Sequence, residues 1–566
     1  MSFAAYEPPR STIKRHRTKN CREKEGAFFI KDGDVDSETI VQEPFHMGSR
    51  TKVCPHCLAW LFEDEPDSMC CAGGDVDLPR LRPLPEFFHK LYHSMDPKAK
   101  DFRQWMNSWN NLFTLTSTKM NRPDLPNSGP PSFVIQGQPY NRRHGFMEAP
   151  YRRDGTQKPP GFLQLYLLNA DEALDIRDRN AQYEASDTKS KYFKSKDAQE
   201  LLSEIDEWLK ANNEAVQKFR MCHEQQLNHP DQQMCVVFED RGPSNQHSRR
   251  WNLPARHTGM CGIISNIDDL NRRTLYRDIV VKYRKPKYGR KELFEINENH
   301  PAYDPLHYVL LFPRGETTGW ELYLVRNKSK RRLTSTDFYR FRFMERKEES
   351  NHIFRSGLLF QKYAVDMYCK VLAQNLRWHR KNQDKLRAAT YQNIREAQQY
   401  GTEDTRIGQK IILPATVRGS DRHVKKKFLD FMAIVREYGP PTFFFTMTCN
   451  PEWPEILECL TEGQKPWERF DIACRVFRKK MQQAQDDLYK YGVLGKAIAK
   501  ISVTEFQKRG LPHAHMLIFL HPDHKIRCAE DVDKVVCSEI PDRNKNPKYA
   551  LLLLLNTLSR VAKHFQ

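Results

Sequence analysis

One segment constrains the fold more than any other part of the chain: the sequence EFQKRGLPHAHMLIFL, which begins at residue 505. Two runs rich in apolar residues, at about 494–506 and 513–520, flank the turn-like sequence KRGLP. Apolar runs separated by a short glycine-containing segment predict a β-hairpin. The chain therefore has to form a sheet around these two strands.

The predicted hairpin brings three metal-ligand side chains together. His513 and His515 are two residues apart on the second strand, so both imidazoles point to the same face. If the turn centres on Arg509, Glu505 lies directly across from His513 on that face, with Gln507 as the alternative if the register slips. Two imidazoles and one carboxylate suit Mg²⁺, Mn²⁺ or Zn²⁺ and leave coordination positions open for a phosphate oxygen.

The elements before the hairpin predict its surroundings. A helix at about 422–438 and a strand at 442–448, TFFFTMT, are followed by a helix at about 467–491. The order α-β-α-β-β predicts an α+β fold, in which helices cover a small antiparallel or mixed sheet. Further helices are predicted at 196–228 and 355–398, and short β-like runs, such as 308–312, at 274–326.

A second candidate metal site lies near the amino terminus. Cys54 and Cys57 form a Cys-x2-Cys pair, and Cys70 and Cys71 follow within a short distance. Four cysteines in this spacing predict a Zn²⁺ site. Because adjacent cysteines strain a tetrahedral site if both bind the metal, His46 is an alternative fourth ligand. The competing interpretation is four reduced, partly buried thiols.

The charge of the chain indicates a polyanionic partner. Lys and Arg exceed Asp and Glu by 19, and the pI is about 9.2. No apolar run is long enough to cross a membrane. Basic clusters mark candidate DNA contacts, and one of them alternates cations with tyrosines, which suits single strands. The candidate residues are Lys282, Arg284, Lys285 and Lys287 in that cluster, and Lys425, Lys426 and Lys427 in another.

The hairpin sequence resembles the second motif of HUH endonucleases, and EFQKRGLPHAH resembles the version found in Helitron rolling-circle transposases. The strand FFFTMTCNPEWPEI, from residue 443, resembles the first Helitron nickase motif, and CPHCLAWLFEDE, from residue 54, resembles the zinc-finger-like element of Helitron proteins. The resemblance implies that His513, His515 and Glu505 bind Mg²⁺ or Mn²⁺. It implies that Thr446, Thr448 and Asn450 support the sheet and the DNA.

The resemblance also implies a reaction and a location. In this family a tyrosine attacks a phosphate of single-stranded DNA and forms a 5′-phosphotyrosine, in the nucleus. Tyr549 is a weak candidate for that residue, and we expect the chain to stop before the tyrosine motif and the helicase, with a full-length transposase or helicase supplying them in trans. The alternatives are a DNA-binding remnant without catalysis, and a hydrolase that uses activated water with His521 or His524 as base.

The predicted organisation combines the composition with the resemblance. The expected fold is a HUH-like α+β domain at the carboxyl-terminal end, preceded by a mixed α/β region and a small zinc-finger-like element. The predicted segments are a disordered basic arm (1–40), the zinc-finger-like element (41–90), a mostly helical region with Pro/Gly-rich loops (91–250), a mixed region with a long basic helix (251–420), and an incomplete HUH nickase-like domain (421–566).

Overall fold

The computed structural model describes residues 45–115, 170–187, 192–217, 220, 299–315, 319–320, 324–382, 413–506 and 510–533, and the backbone of five short strands outside these ranges. The helices are α1 (Ser68–Cys71), α2 (Glu86–His93), α3 (Pro97–Gln104), α4 (Met106–Phe113), α5 (Ala170–Asp187), α6 (Lys196–Asn212), α7 (Tyr303–His307), α8 (Ser335–Arg342), α9 (Leu358–Lys381), α10 (Asp421–Tyr438), α11 (Pro454–Leu457), α12 (Phe470–Gln485) and α13 (Ala529–Asp533). Short 3₁₀ segments lie at Tyr192–Lys194, His352–Arg355, Pro466–Arg469 and Pro522–His524, and a π segment lies at Asp486–Lys490.

The strands are β1 (Ser2–Phe3), β2 (Lys52–Val53), β3 (Trp60–Leu61), β4 (Ser117–Lys119), β5 (Tyr140–Arg142), β6 (Ile279–Lys282), β7 (Leu293–Ile296), β8 (Phe443–Thr448), β9 (Ala497–Phe506) and β10 (Pro512–Leu520). The main sheet has the order β1-β9-β10-β8 and is antiparallel throughout. Three two-stranded sheets, β2-β3, β4-β5 and β6-β7, accompany it. The predicted α+β class is confirmed.

Strand β10 lies in the main sheet between β9 and β8, and its two faces have different chemistry. Ala514, Met516 and Ile518 alternate along one face and are fully buried against helix α12. This alternation fixes the register, because a shift of one residue would expose these side chains and bury the imidazoles. The other face carries His513 and His515.

A separate, aromatic-rich core fills the space between helices α2, α4, α6, α7, α8 and α9. A buried ion pair lies within it: Nζ of Lys370 is 3.1 Å from Oδ1 of Asp304, and neither side chain is exposed. The hydroxyl groups of Tyr339 and Tyr363 donate to the same carboxylate at 3.0 and 3.1 Å. These contacts compensate for the removal of both charges from water.

The segment 45–65 connects the two cores. Met47 and Phe62 pack in the core beneath the main sheet, whereas Ala59 and Leu61 pack in the aromatic core. Arg475 of α12 donates to the carboxylate of Glu65 at 2.9 Å, which attaches this segment to the sheet domain. The amino-terminal segment is therefore part of both packing units.

The predicted β-like run at 308–312 is wrong. Tyr308 follows helix α7, and the amides of Leu311 and Phe312 both donate to the carbonyl of Tyr308, as in a turn. Neighbouring side chains satisfy this buried backbone instead of a partner strand: the amide of Leu310 donates to Asn110, and the hydroxyl of Tyr92 donates to the carbonyl of Leu310. A short apolar run is compatible with any buried conformation that satisfies its polar groups.

Several predicted elements form close to their predicted positions, including the hairpin, the strand at 443–448 and the helix at 421–438. The apolar stripe of that helix, α10, is the exception, because none of its residues is buried and Phe428 is 57% exposed. The predicted helices at 196–228 and 355–398 are described over 196–212 and 358–381. The basic arm lies almost wholly outside the described residues, and the segment boundaries stay predictions.

We predict that Lys370→Met destabilises the protein by about 3–5 kcal/mol, because it leaves the Asp304 carboxylate buried without its cation. Urea denaturation followed by tryptophan fluorescence measures the change. The matched control is Lys98→Met, which breaks the Lys98–Glu204 pair, whose side chains are 39% and 44% exposed. That change should cost less than about 1 kcal/mol. Equal effects of the two substitutions would contradict the assignment.

Candidate metal centres

Three strands place the triad at one end of the main sheet. His513 is paired with Glu505 of β9 on one side and with Thr448 of β8 on the other. His515 is paired with Thr446 of β8. Gly510, in the connection between β9 and β10, has a φ of +78°, which glycine adopts without strain, so the chain can turn back in this register.

The triad forms a compact group of ligand atoms. One ligand atom each from Glu505, His513 and His515 lies within 4.8 Å of the others. Oε1 of Glu505 is 3.4 Å from Nε2 of His515. His513 is buried, whereas the side chains of His515 and Glu505 are about one-third exposed. The group therefore has a protected side and a side open to a ligand from solution.

Two threonines orient the imidazoles. Oγ1 of Thr448 lies 2.8 Å from Nδ1 of His513, and Oγ1 of Thr446 lies 3.2 Å from Nδ1 of His515. When Nδ1–H donates to the hydroxyl group, Nε2 carries the lone pair that can bind a metal. Such contacts fix the tautomer and the ring orientation of metal-binding histidines. These contacts suit a positioning role for the first-motif threonines, and that role stays a prediction.

The donor set fits a divalent cation. Two imidazole nitrogens and one carboxylate oxygen on a half-open face leave coordination positions for water or a phosphate oxygen. Gln507, the alternative third ligand, lies outside the described residues. The roles of Glu505, His513 and His515 as metal ligands stay predictions.

An exposed aromatic ring extends the same face. Phe444 is 66% exposed, and its ring is stacked on the imidazole of His515 with centroids 5.2 Å apart and planes 14° from parallel. Phe444 is not among the site residues predicted from the sequence. The two-residue period of β8 was the available signal, because it places Phe444 on the same face as Thr446 and Thr448.

The four cysteines are held by short turns between β2 and α1. The amide of Cys54 donates to the carbonyl of Ala59, and the amide of Leu58 donates to the carbonyl of Cys54, so Cys54 and Cys57 turn towards each other. Cys70 and Cys71 end helix α1. All four side chains are buried.

The sulfur positions agree with a tetrahedral site. Sγ of Cys57 is 3.4 Å from Sγ of Cys70, Sγ of Cys54 is 3.7 Å from Sγ of Cys71, and the sulfurs of Cys70 and Cys71 are 3.8 Å apart. A tetrahedral ion with metal–sulfur bonds of about 2.3 Å separates its sulfurs by about 3.8 Å. The four cysteines could therefore hold a metal ion, and their adjacency at 70–71 does not prevent it.

The environment of this group favours ionisation of one thiol. The hydrogen bond between Cys57 and Cys70 and the nearby positive charge of Arg346 lower the pKa of Cys57 to about 5. The pKa of Cys70 is raised far above its usual range by the same hydrogen bond and by burial. The amide of Gly74 donates to Sγ of Cys71 at 3.2 Å. A thiolate is the form that binds metals.

The structure places the other predicted site residues elsewhere. His46 lies outside the cysteine group, with Nε2 3.7 Å from the carboxylate of Glu458. Oδ1 of Asn450 accepts the amide of Glu452 in the turn after β8. Tyr549 lies outside the described residues, so its prediction is untested.

The predicted DNA-binding residues are described only in part. Lys425 and Lys426 are exposed and Lys427 is half-exposed, all on helix α10. Lys282 ends strand β6, of which only the backbone is described, and Arg284, Lys285 and Lys287 lie outside the described residues. Among the described helices, none combines the length and apolar character that a bilayer-spanning segment requires.

The two histidines suggested as bases for a hydrolase are far from the triad. His521 follows the opposite end of β10, so it is six residues from His515, or about 20 Å along an extended strand. His521 instead lies 3.1 Å from Asp523, and His524 lies near Gly495. Neither can act as a base on a water molecule at the triad.

Comparison with known families agrees with the geometry. The family model described as "Helitron helicase-like domain at N-terminus" matches residues 338–518, from helix α8 to strand β10. The predicted resemblance is thus confirmed for this segment, which contains the triad and both threonines and relates the protein to Helitron transposons. The cysteine group lies outside the matched range. The comparison with curated proteins gives no match.

We predict that Thr448→Val lowers the affinity for Mn²⁺ by about 10–100-fold, because the imidazole of His513 loses the partner that orients it. Isothermal titration calorimetry with Mn²⁺ measures the affinity. Thr51→Val is the matched control on the surface, since Thr51 is exposed and distant from the triad in sequence. Unchanged Mn²⁺ affinity in Thr448→Val would remove the positioning role.

For the cysteine group, we predict that the purified protein carries one tightly bound divalent ion that Cys57→Ser releases. Because a bound ion stabilises only the folded state, the melting temperature should fall by about 5 °C or more. Metal content by plasma mass spectrometry and thermal melting are the measurements. Cys528→Ser, at an exposed cysteine, is the control. Full metal content in Cys57→Ser would contradict the prediction.

Proposed function

We propose that the face of the main sheet that carries Glu505, His513 and His515 binds single-stranded DNA and holds Mg²⁺ or Mn²⁺ beside a phosphodiester. The observation that supports this most strongly is the convergence of the three ligand atoms with a threonine behind each imidazole. The Helitron relationship of residues 338–518 supports the choice of DNA as the substrate.

Each residue of the face has a distinct role in this proposal. His513, buried and held by Thr448, is the fixed ligand. His515 and Glu505 are partly exposed and complete the set at the side that faces the DNA. A bound divalent cation would neutralise charge that develops on the phosphate oxygens during nicking. Thr446 and Thr448 would hold each imidazole with Nε2 available to the cation.

The family reaction would need a tyrosine whose phenol oxygen attacks phosphorus. A 5′-phosphotyrosine bond forms, and the 3′-oxygen of the neighbouring nucleotide leaves and takes a proton. Tyr549 remains the candidate for this step, or a full-length transposase or helicase supplies it in trans. The separation of His521 and His524 from the triad disfavours the alternative in which water replaces the tyrosine. DNA binding without catalysis is the second candidate function.

The remaining parts of the proposal concern the cysteine group, helix α10 and the location of the protein in the cell. We propose that Cys54, Cys57, Cys70 and Cys71 hold Zn²⁺, because thiolates at these separations suit it. Lys425, Lys426 and Lys427 would contact the DNA backbone from helix α10. A nuclear location follows from a function on DNA.

The test is incubation of the full chain with end-labelled single-stranded DNA and Mn²⁺, together with His513→Ala and Tyr549→Phe. Products are separated on denaturing gels before and after protease treatment. We expect a protease-sensitive adduct that disappears in His513→Ala, and its loss in Tyr549→Phe would assign the nucleophile. Salt-sensitive binding without cleavage would establish the DNA-binding alternative. Cleavage that His513→Ala leaves unchanged would refute the proposed site.

We also predict that Phe444→Ala weakens binding of single-stranded DNA by about tenfold or more, because base stacking on an exposed ring contributes about 1–3 kcal/mol. Fluorescence anisotropy with a labelled oligonucleotide measures the dissociation constant. Phe506→Ala is the matched control, since Phe506 is 62% exposed on the same sheet but follows Glu505 and so points to the opposite face. An equal loss in both variants would contradict a specific stacking role.

A further inference from the structure

A cavity of about 530 Å³ shares no lining residue with either candidate metal centre. Its walls come from helices α3 and α4, from the first turn of helix α9 and from the loop 461–468. This volume lies within the range of about 300–1,000 Å³ that is typical of small-molecule sites.

The cavity has an excess of positive charge. The ionisable residues that line it are Lys100, Arg103, Arg355 and Lys465, opposed by Glu462 and Glu468. Burial raises the pKa of Glu468, and its carboxylate accepts the amide of Lys465 at 2.9 Å. Arg103 is occupied, because it donates to the carbonyl groups of Leu91 and Ser94. An anion would be favoured here.

Arg355 lines the cavity and is half-buried. Within the described ranges its guanidinium group forms no hydrogen bond or ion pair, although the negative charge of Glu345 acts on it. Arg355 is the last residue of the 3₁₀ segment His352–Arg355. Gly357 is the N-cap residue of helix α9, and no side chain caps this helix end. The first turn of this 24-residue helix and the guanidinium group line the same cavity, and both attract a phosphate. The carboxylate of Glu468 lies beside Gly357, so a phosphate at this helix end would have to replace it.

Two amide side chains in the wall have an oxygen that accepts no hydrogen bond. Oδ1 of Asn107 and Oε1 of Gln361 are buried and have no partner, and Asn107 is only 8% exposed. An unsatisfied buried acceptor costs about 1–3 kcal/mol, so a ligand that supplies N–H donors would remove this cost. A phosphate alone has no such donors. A nucleobase with an exocyclic amino group has them.

Aromatic side chains complete the lining. Trp105 and Trp467 are half-buried at the cavity wall, and Nζ of Lys465 lies 5.2 Å from the ring centroid of Trp467. Indole rings are suitable surfaces for a flat base. The cavity thus combines anion-binding groups, unsatisfied acceptors and stacking surfaces.

We propose that this cavity is a second binding site, which takes one nucleotide unit that carries a base with an amino group. Arg355 and the start of helix α9 receive the phosphate, and Asn107 and Gln361 accept hydrogen bonds from the base. The same chemistry is present in a free nucleoside monophosphate and in one residue of a DNA strand. The site is independent of the metal triad.

The experiment is a titration of the full chain, without added metal, by quenching of tryptophan fluorescence. The probes are AMP, inorganic phosphate and a single-stranded oligodeoxyadenylate. Arg355→Ala and Gln361→Leu are compared with Arg478→Ala and Gln482→Leu, which change exposed residues of helix α12. Thermal melting of each variant shows whether it is folded, and Arg355→Lys replaces Arg355→Ala if the latter is not.

We expect saturable AMP binding that weakens by about tenfold or more in Arg355→Ala and in Gln361→Leu, with both α12 variants unchanged. Tighter binding of the oligonucleotide with the same dependence on Arg355 would assign the site to a DNA strand, and AMP binding alone would assign it to a free nucleotide. Inorganic phosphate that binds as tightly as AMP would overturn the proposal. So would the absence of binding, or binding that is insensitive to Arg355 and Gln361.

Discussion

The pairing register of strand β10 is the constraint on which the sheet domain depends. Its alternation buries Ala514, Met516 and Ile518 against helix α12 and presents His513 and His515 on the other face. Because side chains alternate along a strand, the same register that forms the core also forms the triad. Stability and ligand geometry are therefore determined together, and a slip that lost one would lose the other.

The neighbouring strands β8 and β9 contribute the other side chains of the candidate site. β9 contributes Glu505 opposite His513, and β8 contributes a threonine opposite each histidine. The candidate ligands and the threonines that contact the imidazoles thus lie on three adjacent strands, whose backbone hydrogen bonds restrict relative movement. Rigid elements of this kind hold ligand geometry better than loops do. The half-open side of the group leaves room for a substrate.

The cysteine group depends on the rest of the fold for its surroundings. Ala59, which lies close to the cysteine group in sequence, forms a β-bridge with Arg346, and the amide of Trp60 donates to the carbonyl of Glu345. The β2-β3 hairpin is therefore attached to the segment after helix α8. Glu345 in turn accepts from Arg469 at 2.9 Å, just before helix α12. A metal ion on the cysteines would therefore stabilise a junction between the two cores as well as a local turn.

Much of the site could be predicted from sequence because its determinants are local. The hairpin needs only a strand period and a turn, and these gave the pairing of Glu505 with His513. The turn at 308–312 was missed because side chains from distant helices, such as Asn110 and Tyr92, satisfy its backbone. The cavity beside Arg355 joins segments more than 350 residues apart, so no local pattern indicates it.

The most direct test of the account is pulsed electron paramagnetic resonance of Mn²⁺ bound to the full chain. The spectrum should show hyperfine coupling to imidazole nitrogen, and replacing histidine with its ¹⁵N form should change that coupling. We expect the coupling to disappear in a variant with His513→Ala and His515→Ala. Bound Mn²⁺ without nitrogen coupling, or coupling that survives in that variant, would show that these imidazoles do not bind the metal.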